Sequence, residues 1–422
     1  MTDQPAVTET VPAGPAVGLH RRRRLWLALA VLGGVLGIVL SPGLLSLLGI
    51  VDHRAWFLDT YAILAACDAQ QQGLDPFQPN PLDVYSRAHV YTHWWFVLGR
   101  IGLTRDDNFL LGTVTVGLFF LAALLPLKPR SRVEWLWLLS LLLAPPVLLG
   151  VNRANNDLLI FSCIGFGLWL ATQGNRERPA WLGGAVALAT GLKFYPVVAA
   201  AATLVLRPVR RAWLWTSALA AVSLLVLVNV SGDLARAPVP TPVGAHVFGA
   251  AVFWRNLGNE SMLPVVASLL VLSALAVALA LRGWTRGLGE SRSGPLDERL
   301  GFLTAVLLLL ACYASGISYA YRWVFAIWLA PWLWRQAWGE GLTEQRPAAR
   351  LTFFLLTALL WFDGLYCLVV NIFFWPMSKE RIARWESNCS LLVQPLVWTL
   401  MLLLAGWLAD ALLAAWRDRA AD

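Results

Sequence analysis

The chain alternates long apolar runs with short segments rich in arginine. Ten of these runs are apolar enough to span, or nearly span, a bilayer, which takes about 20 residues of helix. They are residues 25–40, 109–127, 133–150, 158–172, 213–230, 263–281, 302–314, 323–334, 351–372 and 391–413. The pattern predicts an all-α, polytopic membrane protein with about 10 to 12 transmembrane helices.

A further apolar stretch, residues 180–206, is interrupted by the polar break Gly191-Leu-Lys-Phe-Tyr-Pro196. It is too long for one ordinary span, so we predict two short helices that meet at the break. Irregular backbone is tolerated at membrane depth only inside protein or beside a water-filled cavity. In transporters, broken helices often mark the binding site. The break is therefore a candidate site.

Composition and charge agree with a membrane protein. The chain is 58% hydrophobic and 14% charged, with a mean hydropathy of +0.62. Its net charge of +8 comes from basic residues in alternate loops, beginning with Arg21–Arg24. By the positive-inside rule both termini are cytoplasmic, so the charge indicates topology and not nucleic-acid binding. We expect an integral protein of the plasma or inner membrane with its active site on the outer face.

The chain divides into a basic, disordered cytoplasmic tail (1–24), one transmembrane domain (25–416) and a short cytoplasmic tail (417–422). The longest outer loop is 41–108, and within it residues 54–69 have the composition of a helix lying along the membrane surface. Of the five cysteines, only Cys67 and Cys389 fall in predicted outer loops, where a disulfide could form.

Asp59 and Asp68 both lie on this predicted surface helix. Nine positions at about 100° each place them on opposite faces, so only one can face a central cavity. Asp68 precedes a glutamine run and Gly73, which is typical of a helix end facing water. Asp59 lies among apolar residues, where a carboxylate suggests proton chemistry. We therefore choose Asp59.

The segment His89-Val-Tyr-Thr-His93-Trp-Trp95 follows a proline-rich loop. It could wall a pocket or anchor the loop at the membrane interface. Its two histidines could ligate a metal, but no third ligand follows at suitable spacing. We predict no metal site, while a divalent ion bound by Asp59 stays an open alternative.

Three cations share one predicted membrane level: Arg153, Lys193 and Arg322. Near Arg153, Asn155 suits a helix N-cap and Asp157 suits the positive end of the helix dipole, whereas the dipole is unfavourable to Arg153 itself. Lys193 could instead extend to the outer surface. Cations at the membrane edge with polar neighbours are functional candidates, and together these three suit a phosphate clamp.

Three segments carry a family resemblance. They are Leu58-Asp-Thr-Tyr61 through Phe77; Ala144-Pro-Pro to Phe161 with Leu192-Lys-Phe-Tyr-Pro196 downstream; and Tyr319-Ala-Tyr-Arg-Trp-Val-Phe325. The chain resembles the GT-C superfamily of membrane glycosyltransferases, and within it glycosyltransferase family 87, which is related to polyprenol-phosphate mannosyltransferases and an arabinofuranosyltransferase. Two departures are Ala154, where similar sequences have glycine, and Val90-Tyr-Thr-His-Trp94 in place of a Tyr-Pro-Pro pattern.

The resemblance implies a GT-C-like bundle and an inverting hexosyl- or pentosyltransferase without a cofactor. The donor would be a polyprenyl-phosphate sugar and the acceptor a hydroxyl of a glycolipid or glycan. Asp59 would be the general base, and Arg153, Lys193 and Arg322 would bind the donor phosphate. The expected substrate-pocket residues are Tyr61, His93, Asn155, Asp157, Tyr195 and Tyr321. A transporter or flippase of a lipid-linked or anionic substrate is the main alternative, and a non-catalytic scaffold is another.

Overall fold

The computed structural model describes residues 16–39, 41–50, 56–173, 178–205, 209–238, 246–288, 294–339, 346–373 and 379–421. These residues form helices and one two-stranded sheet. The α-helices are α1 (Ala16–Val39), α2 (Pro42–Leu47), α3 (Leu58–Gln71), α4 (Val97–Arg100), α5 (Asn108–Leu124), α6 (Arg132–Leu142), α7 (Pro145–Arg153), α8 (Asn156–Ala171), α9 (Pro179–Leu192), α10 (Val209–Arg236), α11 (Ala251–Asn256), α12 (Met262–Leu281), α13 (Leu296–Ala314), α14 (Ala330–Trp338), α15 (Arg346–Phe373) and α16 (Lys379–Ala421). The described 3₁₀ helices are His93–Phe96, Arg105–Asp107, Tyr195–Val205 and Ala320–Leu329, and strands β1 (Val247–Phe248) and β2 (Ser318–Tyr319) pair antiparallel. The predicted all-α class is confirmed.

In the described part of the chain, five helices are long and apolar enough to cross a membrane. They lie within 105–124, 213–236, 262–281, 346–373 and 391–417. Helices α6 and α7 would add a sixth span if counted as one, although they are bent by 46°. The bend follows from Pro145 and Pro146, which have no N–H to continue the ladder of α6. The described residues therefore contain fewer straight spans than the sequence predicts.

Several long helices present apolar side chains outward. Leu225 and Val228 on α10 and Leu263 on α12 are exposed on the protein surface. Broad apolar surface of this kind is unusual in a soluble monomer but suits contact with lipid chains. The long apolar helices are consistent with an integral membrane protein.

The centre of the bundle is α13, which packs against the two long 3₁₀ helices. Most of its side chains are buried. Phe302 lies 4.2 Å from Trp332, which in turn lies 5.0 Å from Trp407, as measured between ring centroids. These rings join α13, α14 and α16 into one core.

The predicted break in the 180–206 stretch is confirmed, because α9 ends at Leu192 and a 3₁₀ helix begins at Tyr195. The long first loop does carry a helix, α3. Ten of its 14 residues are buried, so most of its side chains contact the rest of the protein, and its position along the membrane surface stays a prediction. Cys67 on α3 is a free, buried cysteine, and the side chain of Cys389 lies outside the described residues.

The predicted N-terminal tail differs from expectation where it is described. Helix α1 begins at Ala16, so the predicted disordered tail is helical from that residue, and residues 1–15 lie outside the described part. Helix α16 continues to Ala421, so the segment after residue 416 extends the last helix.

Candidate functional site

Asp59 lies against the turn that joins α7 to α8. This turn is left-handed at Ala154, with φ of 40°, a conformation that glycine adopts most readily. The Thr60 hydroxyl donates to the Ala154 carbonyl at 2.9 Å. Asn155 then caps α8 as predicted, since its Oδ1 accepts the Asp157 N–H at 2.9 Å.

The Asp59 carboxylate is buried and held by three donor groups. Arg153 binds it in a bidentate manner, with Nε 2.8 Å from Oδ2 and Nη2 2.6 Å from Oδ1. Asn155 Nδ2 donates to Oδ2 at 2.6 Å. Burial raises the pKa of the Asp59 carboxyl, but Arg153 and Asn155 together outweigh it and hold the pKa below its usual value. Asp59 is therefore ionised at neutral pH.

A second arginine, Arg87, reaches Asp59 from the first loop. Its Nη1 lies 3.5 Å from Asp59 Oδ1, and its Nη2 donates to the Leu58 carbonyl at 3.0 Å. Arg87 is oriented by Asp83, with bonds of 2.9 and 2.7 Å. Sequence analysis missed this pair. Its signal was the four-residue spacing of an acid and an arginine after the proline-rich segment.

Asp157 forms the centre of a second buried ionic group. Lys193 Nζ lies 2.6 Å from Asp157 Oδ1, and the Tyr195 hydroxyl donates to the same oxygen at 2.7 Å. Lys193 also bonds Asn156 Oδ1 at 3.3 Å. The lysine is 6% exposed, so it points into the protein and does not extend to the outer surface.

Asn155 connects the two groups, because its amide bonds Asp59 on one side and the backbone of Asp157 on the other. Tyrosine rings cover both. Arg153 lies over Tyr319 at 5.2 Å from the ring centroid, and Lys193 lies 6.0 Å from that of Tyr321. The two rings stack on each other at 5.6 Å. Apolar cover of this kind lowers the local dielectric and strengthens each charge interaction.

Tyr91 and Tyr195 complete the cover, with centroids 5.4 and 5.5 Å from Lys193 Nζ. Tyr91 was not among the predicted pocket residues, although it lies in the aromatic segment singled out in the sequence. The residues that we name the ionic cluster are Asp59, Asp83, Arg87, Arg153, Asn155, Asp157, Lys193 and Arg322.

Arg322 approaches the cluster without closing it. Its Nε lies 3.9 Å from Asp157 Oδ2, which is too long for a hydrogen bond. Among the described residues neither atom has a hydrogen-bond partner, although both are buried. The Arg322 Nη1 is held by Ser315 Oγ at 3.1 Å. Buried polar atoms are usually satisfied, so this donor and this acceptor are the least satisfied atoms of the described cluster.

Two predicted pocket residues make their contacts elsewhere. The Tyr61 hydroxyl donates to the Leu82 carbonyl at 3.4 Å. His93 pairs with Asp233 on α10, with Nδ1 2.6 Å from Oδ2. The neighbouring Trp95 instead donates to the Leu192 carbonyl at 3.0 Å, so the His-Trp-Trp segment supports the break that carries Lys193.

Asp68 does lie on the side of α3 away from the Asp59 contacts, but it does not face water. It is 9% exposed, and Arg105 Nε donates to its Oδ2 at 2.6 Å. The glutamine run after it misled the interpretation, because an arginine 37 positions later supplies a counterion. Among the described residues, no group of three or more His, Cys, Asp or Glu side chains could hold a metal ion.

Comparison with known proteins gives no family for this chain. No protein-family model and no curated protein matches it.

Proposed function

We propose that the protein is an integral membrane glycosyltransferase of the GT-C type. It transfers a sugar from a polyprenyl-phosphate donor to an acceptor hydroxyl at the outer face of the membrane, with inversion. The observation that carries this proposal is the buried, ionised Asp59 carboxylate joined through Asn155 to a group containing Lys193 and Arg322. A carboxylate next to several cations supplies both a proton acceptor and a site for phosphate.

The proposed reaction is a single displacement. The acceptor oxygen attacks the anomeric carbon, its proton goes to Asp59, and the bond from that carbon to the phosphate oxygen breaks. The bonding electrons leave with the polyprenyl phosphate, whose negative charge grows during the step. Arg153, Lys193 and Arg322 stabilise that charge through short charge-assisted hydrogen bonds in a water-poor site.

Arg153 has a second part in this scheme. A carboxylate that receives two bonds from one guanidinium is a weak base, because those bonds stabilise its ionised form. A donor phosphate competes with Asp59 for the same guanidinium. As Arg153 turns towards the phosphate, the basicity of Asp59 rises. Donor binding thereby activates the base only when there is a sugar to transfer.

The test measures transfer from a panel of radiolabelled polyprenyl-phosphate sugars to membrane acceptors, using protein reconstituted in lipid. The variants are Asp59→Asn and the matched control Asp68→Asn. Both residues are buried aspartates of α3 paired with an arginine, but only Asp59 belongs to the ionic cluster. We expect Asp59→Asn to lower the transfer rate by about 10²- to 10⁴-fold, the usual loss for a general base, and Asp68→Asn to retain activity.

The same assay separates the rival functions. Normal turnover by Asp59→Asn would remove the base assignment. Equal loss in both variants would point to a structural role for these ion pairs. Labelled lipid that crosses the bilayer without consumption by the wild-type protein would favour the transporter.

A further inference from the structure

A second polar cavity lies at the other end of α8 from the ionic cluster. It has a volume of about 220 Å³ and is lined by α8 residues near Trp169, the segment after α5, the start of α13, and Trp328. The α8 residues that line it begin at Gly165, nine positions after Asn156, which is about 14 Å along the helix at about 1.5 Å per residue. The cavity is therefore separate from the proposed active site.

The cavity wall combines basic and acidic side chains that largely neutralise one another. Lys128 Nζ lies 3.0 Å from Asp297 Oδ2. Glu298 is bound by Arg335, with bonds of 2.8 and 2.9 Å, and also by Arg130. Two arginines compensate the negative charge of Glu298, so its carboxylate does not repel an anion from the cavity.

Arg24 adds a further cation to this wall. Its Nε donates to the Leu127 carbonyl at 3.0 Å, which fixes the guanidinium beside the segment after α5. Among the described residues its two terminal nitrogens have no hydrogen-bond partner, and no carboxylate pairs with it. Arg24 is thus a positioned cation with donors to spare.

Trp328 adds a neutral polar group to this wall. It lines the cavity and is 3% exposed, yet its indole N–H has no acceptor in the described part of the protein. The ring is fixed by stacking on Phe161, with centroids 4.1 Å apart. A buried indole N–H usually finds a partner. Helix α8 packs closely against the ring at Gly165, since a Cβ there would lie 3.2 Å from Trp328 Cζ2.

We propose that this cavity binds the phosphate group of a membrane phospholipid. Arg24 provides the charge, Lys128 adds an ammonium donor beside its partner Asp297, and the Trp328 N–H adds a neutral donor. The cavity lies at the ends of the candidate span α5 and the apolar helix α8. Tryptophan and basic residues at such helix ends lie at the level of lipid headgroups, and basic pockets between membrane helices take anionic headgroups. The proposal does not depend on the transferase activity.

The experiment is native mass spectrometry of delipidated protein supplied with one lipid at a time. The probes are phosphatidylglycerol, diacylglycerol, which has no phosphate, and inorganic phosphate. The variant is Arg24→Gln, with Arg22→Gln as the matched control, because Arg22 is an exposed arginine of the same helix. We expect the wild type and Arg22→Gln to retain one phosphatidylglycerol, Arg24→Gln to bind it at least tenfold more weakly, and diacylglycerol not to bind.

Trp328→Phe keeps an aromatic ring but removes the N–H donor, and we expect it to weaken binding as well. Lys128→Gln provides a second charge variant if Arg24→Gln unfolds early, since the Lys128 side chain is 55% exposed. Equal retention of phosphatidylglycerol by the wild type, Arg24→Gln and Lys128→Gln would overturn the proposal. So would equal binding of diacylglycerol, or binding of inorganic phosphate without any lipid.

Discussion

The ion pair between Asp59 and Arg153 allows a quantitative test of how the ionic cluster stabilises the fold. Both side chains are nearly excluded from solvent, at 5% and 12% exposure. Removing one member leaves the other charge buried without its main partner, which typically costs 3–5 kcal/mol. We therefore expect Asp59→Asn and Arg153→Met each to lower the free energy of unfolding by about this amount.

The double variant should lose much less than the sum of the single losses. Once both charges are gone, the desolvation cost that each single variant suffers is also gone. In Arg153→Met, Asn155 and Arg87 still contact the Asp59 carboxylate. These contacts moderate the loss of stability in that single variant. We expect an interaction energy of about 2–3 kcal/mol between the two positions, which is the upper range for residues in contact.

The measurement is a double-mutant cycle on protein in lipid bicelles. Two tagged sites can bind a bulky ligand at the same time only in the unfolded protein, so ligand binding reports the free energy of unfolding. The matched control cycle uses Asp68 and Arg105, a pair with a similar bond of 2.6 Å but a more exposed arginine, at 32%. We expect a smaller interaction energy there, because water screens the charges. Additivity within about 0.5 kcal/mol at Asp59 and Arg153 would refute the reasoning.

Three further predictions use other parts of the structure. Burial lowers the pKa of His89 to about 4. As pH falls from about 6.5 to 4, the unfolded chain therefore binds a proton that the folded chain does not, and the free energy of unfolding should fall by about 3 kcal/mol. Unfolding followed against pH should show a flatter fall in His89→Gln. A Cβ at Gly191 would lie 2.1 Å from the Trp94 ring, so Gly191→Ala should lower stability by about 1–3 kcal/mol, and adding Trp94→Ala should restore part of the melting temperature. Lys193→Met removes the closest cation of the Asp157 carboxylate and should lower the free energy of unfolding by about 3–5 kcal/mol. Adding Asp157→Asn should recover part of that loss in a thermal unfolding assay. No recovery would contradict a direct pairing of the two residues.

The features that sequence analysis predicted correctly are those with local signals. Asn155 as an N-cap follows from its residue type just before an apolar run, and the break at Lys193 follows from the polar interruption and Pro196. The cations Lys193 and Arg322 were also correctly expected to lie near each other, since both converge on Asp157. The first two of these inferences used only the order of residues along a few turns, whereas the third used the predicted membrane level of both cations.

The features that were missed depend on contacts between distant segments. Arg153 binds Asp59 across 94 positions, and nothing in the local pattern of either segment identifies the partner. Asp68 was taken to face water for the same reason. The bend between α6 and α7 was missed for a different reason. Pro145 and Pro146 indicate it in the sequence, because proline cannot continue the hydrogen-bond ladder of a helix, but the prediction of one span used hydropathy alone.

The charges of the ionic cluster bear on the choice between a transferase and a transporter. Among the described residues it holds four cations, Arg87, Arg153, Lys193 and Arg322, and three carboxylates, Asp59, Asp83 and Asp157. One bound phosphodiester would therefore make the site neutral, as a poorly solvated interior requires. In the proposed transfer the acceptor proton moves to Asp59 as the phosphate gains one negative charge, so the site stays neutral throughout. A transporter that is not coupled to protons would need the same cations for the same anion, but it would need no proton acceptor. The two functions are therefore distinguished at Asp59 and not at the cations.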